Sequence, residues 1–274
     1  METLSAPGAE TVSALYVQSG TARPVEDALV AEGALQIAVK GSPYSVTMRT
    51  PGDDVSLAIG LLFTEGLILA KGDVLGWEEI PAAGEGCADT VDLALADPAL
   101  ARGNLSNRRL ASTASCGVCG KISADDLVLP SRRNPGDTVL LDPAILPSLE
   151  GKMRSAQALF GRTGGSHAAA VFDAQGGLIV LKEDVGRHNA VDKAIGHLLR
   201  EGRLGAAAML FISGRVSYEI VAKASKAGIP FLLAVSAPST LAVKMCRDSG
   251  ITLLAFVRGG KATVYSHPER VSGT

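Results

Sequence analysis

The chain has 274 residues, with 26 Lys and Arg against 28 Asp and Glu and a formal charge of −2. A length near twice the usual domain size predicts two domains, with a core that needs neither disulfides nor a structural metal. With 47% hydrophobic and 20% charged residues, the composition excludes a disordered chain, a collagen-like repeat and a disulfide scaffold. The near-neutral balance argues against a general nucleic-acid binder but leaves room for a local anion site.

No stretch approaches the roughly 18–20 continuous apolar residues of a membrane span, since Leu57–Ala70 is interrupted by Gly60, Thr64, Glu65 and Gly66. Residues 1–11 carry neither a basic start nor an apolar run, so no secretory signal is expected. Cys87, Cys116, Cys119 and Cys246 are therefore read as reduced thiols in the cytoplasm.

In chain order, Ser13–Val17, Leu35–Lys40 and Tyr44–Arg49 are predicted strands, the last two joined at Gly41-Ser42-Pro43. Val55, Ala58, Ile59, Leu62 and Phe63 recur at helical spacing, with Asp53 or Asp54 as a cap and Gly66 as the stop. Thr90–Ala96 and Arg109–Ser112 complete a smaller, strand-rich α+β domain over residues 1–112. Residues 113–137 keep no period and read as a flexible loop that carries a Cys-x-x-Cys pair.

Residues 138–274 read as an α/β domain. Ile145, Leu149, Met153, Ala156 and Leu159–Phe160 keep a helical spacing, and Ala168–Phe172 and Leu178–Leu181 flank a turn. A helix over Asn189–Arg200 precedes a clean alternation: strand Ala206–Ile212, helix Val216–Ala227, strand Phe231–Val235, helix Ser239–Asp248, strand Ile251–Val257. Alternation of this kind predicts parallel strands joined by helices. Gly259-Gly260 and a last strand, Ala262–Tyr265, close the sheet as a hairpin.

Ligands of open α/β sheets sit beyond the carboxyl ends of the strands. Here those ends lead into polar segments: Glu183–Asn189, Ser213-Gly214-Arg215-Val216-Ser217, Ser236–Thr240 and Arg258-Gly259-Gly260-Lys261. Helix N-termini and glycine backbone favour anions, so a phosphorylated or nucleotide ligand is expected there. Neither a G-x-x-x-x-G-K-[ST] loop nor a G-x-G-x-x-G fingerprint is present. His167 and His188 lie in Gly-flanked polar segments and are candidate donors to an anion. His197 and His267 read as structural. Glu183 and Asp184 are open between orienting an imidazole, accepting from a purine and pairing with Arg187 or Arg215.

Cys116-Gly117-Val118-Cys119 admits three chemistries. Zinc would need two further soft ligands at matching spacing, which the sequence does not offer. A thioredoxin-like pair should open a helix, and Gly117 and Gly120 break one there. The third is a nucleophilic or sulfur-carrying thiolate, supported by the nearby cations Arg108, Arg109 and Lys121.

The segments SCGVCGK (115–121), TGGSHAAA (163–170), EDVGRHNAVDK (183–193), SGRVSYEIVAKA (213–224) and GITLLAFVR (250–258) together resemble the formate dehydrogenase accessory sulfurtransferase (FdhD) family. The resemblance runs in order from about Val12 to Tyr265. It implies a cytoplasmic, homodimeric sulfurtransferase, with a cytidine-deaminase-like three-layer fold in the C-terminal half. Such a protein takes persulfide sulfur from a cysteine desulfurase and passes it to the molybdenum bis(molybdopterin guanine dinucleotide) cofactor of formate dehydrogenase. By motif, Cys116 is the persulfide carrier and Cys119 its relay. Phe256, Val257, Arg258, Gly259, Gly260 and Lys261 match the stretch that holds the dinucleotide, with Ser213, Gly214, Arg215, His167 and His188 as further binding residues. Zinc is not expected, because the deaminase pattern H-x-E reads His167-Ala168-Ala169 here and no P-C-x-x-C follows it. The alternatives are a Cys-x-x-Cys thiol–disulfide oxidoreductase and a non-enzymatic cofactor chaperone.

Overall fold

The structure, a computed structural model, describes residues 8–84, 86–103 and 139–273. Cys116, Cys119 and the expected strand Arg109–Ser112 lie outside the described residues. The described part builds three sheets.

The first is a two-stranded ribbon of β1 (Ala9–Gln18) and β2 (Thr21–Val30). Its loop, Ser19-Gly20, has positive φ at both residues, the two-residue geometry that matches strand twist. The second sheet holds β3 (Gly33–Val39), β4 (Ser42–Arg49), β5 (Val74–Ile80) and β6 (Asp89–Leu95), in the order β4-β3-β6-β5. The β3–β4 turn is Lys40-Gly41, again with positive φ at both positions, so β4 starts earlier than expected and includes Pro43. Helix α1 (Asp54–Thr64) follows β4, and α2 (Asp97–Gly103) follows β6. Arg49, 1% exposed, pairs with Asp54 at 2.6 Å and with Asp89 at 2.6 Å, tying β4 to α1 and to the start of β6.

The third sheet has six strands in the order β12-β11-β10-β9-β7-β8. These are β7 (His167–Phe172), β8 (Leu178–Asp184), β9 (Met209–Ile212), β10 (Phe231–Ala234), β11 (Thr252–Arg258) and β12 (Lys261–Ser266). β9, β10 and β11 run parallel, as their alternation with helices predicts. β7 is antiparallel to both β8 and β9, and β12 is antiparallel to β11, so the sheet is mixed. Its helices are α3 (Leu146–Ala156), α4 (Ala158–Thr163), α5 (Arg187–Glu201), α6 (Tyr218–Lys226) and α7 (Thr240–Ser249). The apolar spacing read as one helix from Ile145 to Phe160 is split, because Gln157 takes ψ 70 between α3 and α4. None of the helices among the described residues is long and apolar enough to cross a membrane.

Period-two alternation divides the large sheet into two buried faces. Ala169, Val171, Leu210, Ile212, Leu232 and Ala234 join α1, α5, α6 and α7 in one core, which also takes in Leu35, Ile37 and Leu93 of the four-stranded sheet. Ala168, Ala170, Phe172, Phe211, Phe231 and Leu233 pack with Leu146, Leu149 and Met153 of α3 on the other. Strands from before residue 103 and helices from after residue 139 therefore share one apolar interior. The contact between α1 and α5 is the closest part of it. A Cβ on Gly60 would lie 1.9 Å from the Asp192 carbonyl oxygen, and one on Gly196 would lie 1.9 Å from that of Ser56.

A candidate anion site at the carboxyl edge of the large sheet

β8, β9, β10 and β11 all end at the same edge of the large sheet, because β7 is antiparallel to β8 and β9 and the other three run parallel. Helices α5, α6 and α7 begin there, so unpaired N–H groups and partial positive charge collect at this edge. A parallel bridge between Val216 and Pro238 joins the segments after β9 and β10. The Phe256 N–H donates to the Ser236 carbonyl at 3.4 Å and brings the end of β11 alongside. Four polar segments thus meet at one edge, as the order of strands and loops predicts.

The densest group of polar side chains surrounds the β8–α5 and β9–α6 connections. His167 opens β7, and its Nδ1 is 3.5 Å from Ser213 Oγ. That hydroxyl accepts the Ala168 N–H at 2.9 Å, which leaves its own proton available to donate. Gly214 packs against His167 and Arg187, since a Cβ there would lie 3.4 Å from His167 Nδ1 and 3.3 Å from Arg187 Cδ. Burial holds the His167 imidazole below its ordinary value; Arg187 lowers it further, Asp184 opposes and Arg215 adds to the lowering. His167 is accordingly a neutral imidazole flanked by two guanidinium groups. Arg215 is exposed. The Arg187 Nε is buried and has no hydrogen-bond partner among the described residues. A buried cationic donor left unpaired is costly, and an anion at this position removes the cost.

His188 is the second residue of α5 rather than part of a loop, and it is 6% exposed. Its Nε2 is 3.4 Å from Ser217 Oγ and 4.0 Å from Glu219 Oε2, so it ties the start of α5 to the start of α6.

The acidic residues of the same segment are structural. Glu183 accepts the N–H groups of Leu159 and Phe160 at 2.9 and 2.8 Å, and the Ser166 hydroxyl at 2.8 Å. Asp184 is fully buried and pairs with Lys193 at 2.8 Å, not with Arg187 or Arg215. It also accepts from the Thr50 and Gly186 N–H groups and from Asn189 Nδ2. Lys193 donates to the Thr50 carbonyl and Asn189 to that of Met48, so this knot fastens the β4–α1 connection beneath the head of α5. Both carboxylates are committed to holding the framework beneath the edge.

Phe256–Lys261 occupies the far end of the same edge. Two strand spacings, about 10 Å, separate β11 from β9. Phe256 is 47% exposed and has φ 55, an uncommon backbone for an aromatic residue. Val257 is buried beneath it in the α3-side core. Arg258, Gly259 and Lys261 are exposed, the Gly259 N–H donates to Glu150 Oε2 at 2.8 Å, and Gly260 packs on Pro147. The sheet therefore brings His167, His188, Ser213, Gly214 and Arg215 together and sets Phe256–Lys261 beside them as a separate group. Arg187 belongs to the first group and was legible only as a basic residue between Gly186 and His188 at a helix start.

A cleft of about 620 Å³ opens at the opposite edge, lined by Asp173, Gln175, Ala206, Ala208, Gly228 and Pro230 among others. Its carboxylate is taken by the Gln175 and Gly177 N–H groups of its own turn. The chemistry for an anion is at the carboxyl edge.

The chain is similar along nearly its whole length to known proteins. A protein named sulfur carrier protein FdhD from Streptomyces avermitilis is 42% identical over 265 residues, covering 94% of both chains. A protein of the same name from Mycolicibacterium paratuberculosis is 45% identical over 266 residues, covering 95% of this chain and 97% of its own. The crystal structure of a protein described as a formate dehydrogenase accessory protein from Desulfotalea psychrophila superposes with a TM-score of 0.77 at 23% identity, over 97% of this chain and all of the other. The family model described as FdhD/NarQ matches residues 30–272, a span that takes in both halves of the shared core and every segment of the carboxyl edge, and the chain belongs to that family.

Proposed function

We propose that this protein is a sulfur carrier that serves formate dehydrogenase, taking persulfide sulfur from a cysteine desulfurase and delivering it to a molybdenum bis(molybdopterin guanine dinucleotide) substrate. The observation that carries the reading is a relationship along nearly the whole chain to proteins named sulfur carriers, in a sequence that holds Cys116-Gly117-Val118-Cys119.

In the loading step, the Cys116 thiolate attacks the outer sulfur of the desulfurase persulfide. The S–S bond of the donor breaks, the desulfurase cysteine leaves as a thiolate, and Cys116 holds the outer sulfur as a persulfide. In delivery, Cys119 attacks the inner sulfur of that persulfide and releases hydrosulfide to the molybdenum substrate. The two electrons come from the two cysteines, which end as a disulfide for a cellular thiol to reduce.

The carboxyl edge supports the acceptor side. Arg187 and Arg215 supply charge-assisted donors to a diphosphate, the starts of α5 and α6 supply backbone N–H groups, and neutral His167 accepts or donates one proton without repelling either arginine. Phe256 offers an aromatic face on which a guanine stacks, with Arg258 and Lys261 beside it. Val257 supports this turn from the core. A cytoplasmic location and a homodimer belong to the same reading.

The test is complementation of a host that lacks its own accessory protein, with formate dehydrogenase activity as the readout. Cys116→Ser is expected to abolish activity while the purified variant still binds guanosine diphosphate. A Cys116→Ser variant as active as the parent would instead establish a cofactor chaperone without sulfur chemistry. Reduction of protein disulfides by the parent, with no sulfane sulfur carried, would establish an oxidoreductase.

A further inference from the structure

The His167 ring stands where charge of one sign collects. A Cβ on Gly214 would lie 3.4 Å from its Nδ1 and 3.3 Å from Arg187 Cδ, so the imidazole and the Arg187 stem pack on the same backbone. Arg215 follows in the chain and is exposed. The acidic groups of the neighbouring elements face other partners. Asp184, opposite His167 in the β7–β8 pair, holds Lys193 at 2.8 Å. Glu183 holds the Leu159 and Phe160 N–H groups and the Ser166 hydroxyl. Glu219 lies 4.0 Å from His188 Nε2, on the other side of Arg187 in sequence. Among the described residues, no carboxylate is hydrogen-bonded or ion-paired to the His167 ring.

The ring's hydrogen-bond neighbour suits both of its charge states. Ser213 Oγ, 3.5 Å from Nδ1, accepts the Ala168 N–H and keeps one proton and one lone pair. The hydroxyl donates to Nδ1 of a neutral ring and accepts from Nδ1–H of an imidazolium. His167 can therefore change charge and keep this contact. What the empty site lacks is a negative charge near the ring, and burial together with Arg187 holds the imidazole below its ordinary value. An anion between the two arginines reverses the sign of the nearest charge.

We propose that His167 couples ligand binding to a proton: a diphosphate seated between Arg187 and Arg215 draws one proton from solvent onto the ring, which then donates to it. The proton comes from water or buffer, and no bond of the ligand breaks. The inference rests on the carboxyl edge being the diphosphate site of the proposed function, and it adds the pH dependence of that site. Without ligand the ring loses its proton below about pH 6.5; with ligand it keeps the proton to a higher pH. Between those two values each binding event takes up a proton, and affinity rises as the pH falls, by at most about tenfold per pH unit.

The test is titration calorimetry of the full chain with guanosine diphosphate mannose, at pH 6, 7 and 8, in pairs of buffers that differ in ionisation enthalpy. Its diphosphate is a diester and does not titrate in this range, whereas the terminal phosphate of guanosine diphosphate does, near pH 6. The parent is expected to take up a proton at the lower pH values and to bind about tenfold tighter at pH 6 than at pH 8. His167→Gln is expected to bind with no uptake and with a flat pH profile. Imidazole NMR of the parent needs no variant: the His167 ring is expected to titrate at higher pH with the ligand than without it. Binding without proton uptake, uptake that survives in His167→Gln, or a His167 titration that the ligand leaves unchanged would overturn this inference and leave the diphosphate site standing. No binding at any pH would remove the site and this inference with it.

Discussion

Gly60 and Gly196 face each other where α1 crosses α5, and Gly60→Ala tests the crossing. In an open helix position alanine gains about 1 kcal/mol over glycine. Here the added Cβ would lie 1.9 Å from the Asp192 carbonyl oxygen, 2.6 Å from the carbonyl carbon and 3.0 Å from Cα. Ordinary contact begins near 3.4 Å, so the helices must part by about 1.5 Å. All three opposing atoms are backbone, and no rotamer relieves the overlap. Overpacking of this kind costs about 1–3 kcal/mol, and parting the helices also disturbs the apolar core to which Leu57, Ile59, Val191 and Ile195 of these two helices belong. The overlap exceeds the propensity gain, and a net loss of about 2 kcal/mol lowers Tm by about 4–8 °C in a protein of this size. Gly151→Ala is the control. It lies within α3 with nothing within 4 Å of its Cβ, and it is expected to gain about 0.4–1 kcal/mol. Calorimetry of both variants checks the pair. A Gly60→Ala protein as stable as the parent, with Gly151→Ala raised as expected, would refute the close crossing. Because α5 carries Arg187 and His188, Gly60→Ala is also expected to weaken anion binding.

Three further predictions concern the site. Asp184→Ala leaves the buried Lys193 cation unpaired and is expected to cost about 3–5 kcal/mol in urea unfolding, with partial recovery in the Asp184→Ala, Lys193→Met double variant. Arg187→Gln and Arg215→Gln each remove a charge-assisted contact and are expected to weaken guanosine diphosphate binding about 10- to 100-fold by titration calorimetry; affinities equal to the parent would move the phosphate elsewhere. His167 has a lowered pKa in the folded chain, so below about pH 6.5 the unfolded state takes its proton first. Stability is expected to fall as the pH drops through that range, and His167→Gln is expected to flatten part of the fall, with His197, lowered chiefly by burial, supplying another part.

The sequence carried the large sheet well, because its strands are short apolar runs set between amphipathic helices. It was weakest where main-chain pairing alone makes the element. Thr21–Val30 holds Pro24, Glu26 and Asp27 and keeps no alternation, yet it is a strand because β1 lies alongside. Val74–Ile80 is an exposed edge strand with Gly76, Glu78 and Glu79, so it too lacked a pattern. The mixed direction of the large sheet comes from its two hairpins, β7–β8 around Asp173–Gly177 and β11–β12 at Gly259-Gly260, both legible as strand pairs; that β7 lies between β8 and β9 was not. At the site, the polar segments were legible from their place after strands. The division of labour inside EDVGRHNAVDK was not, since only packing decides that Asp184 and Lys193 are buried together while Arg187 keeps an unpaired donor.

The central claim is sulfur carriage on Cys116, and peptide mass measurement after incubation with a cysteine desulfurase and cysteine tests it most directly. The account predicts that the Cys116 peptide gains the mass of one sulfur atom and loses it on treatment with a reducing thiol. Cys246, buried with its thiol pushed up to about 12, stays unmodified. A Cys116 peptide of unchanged mass, or added sulfur found only on the exposed Cys87, would contradict it.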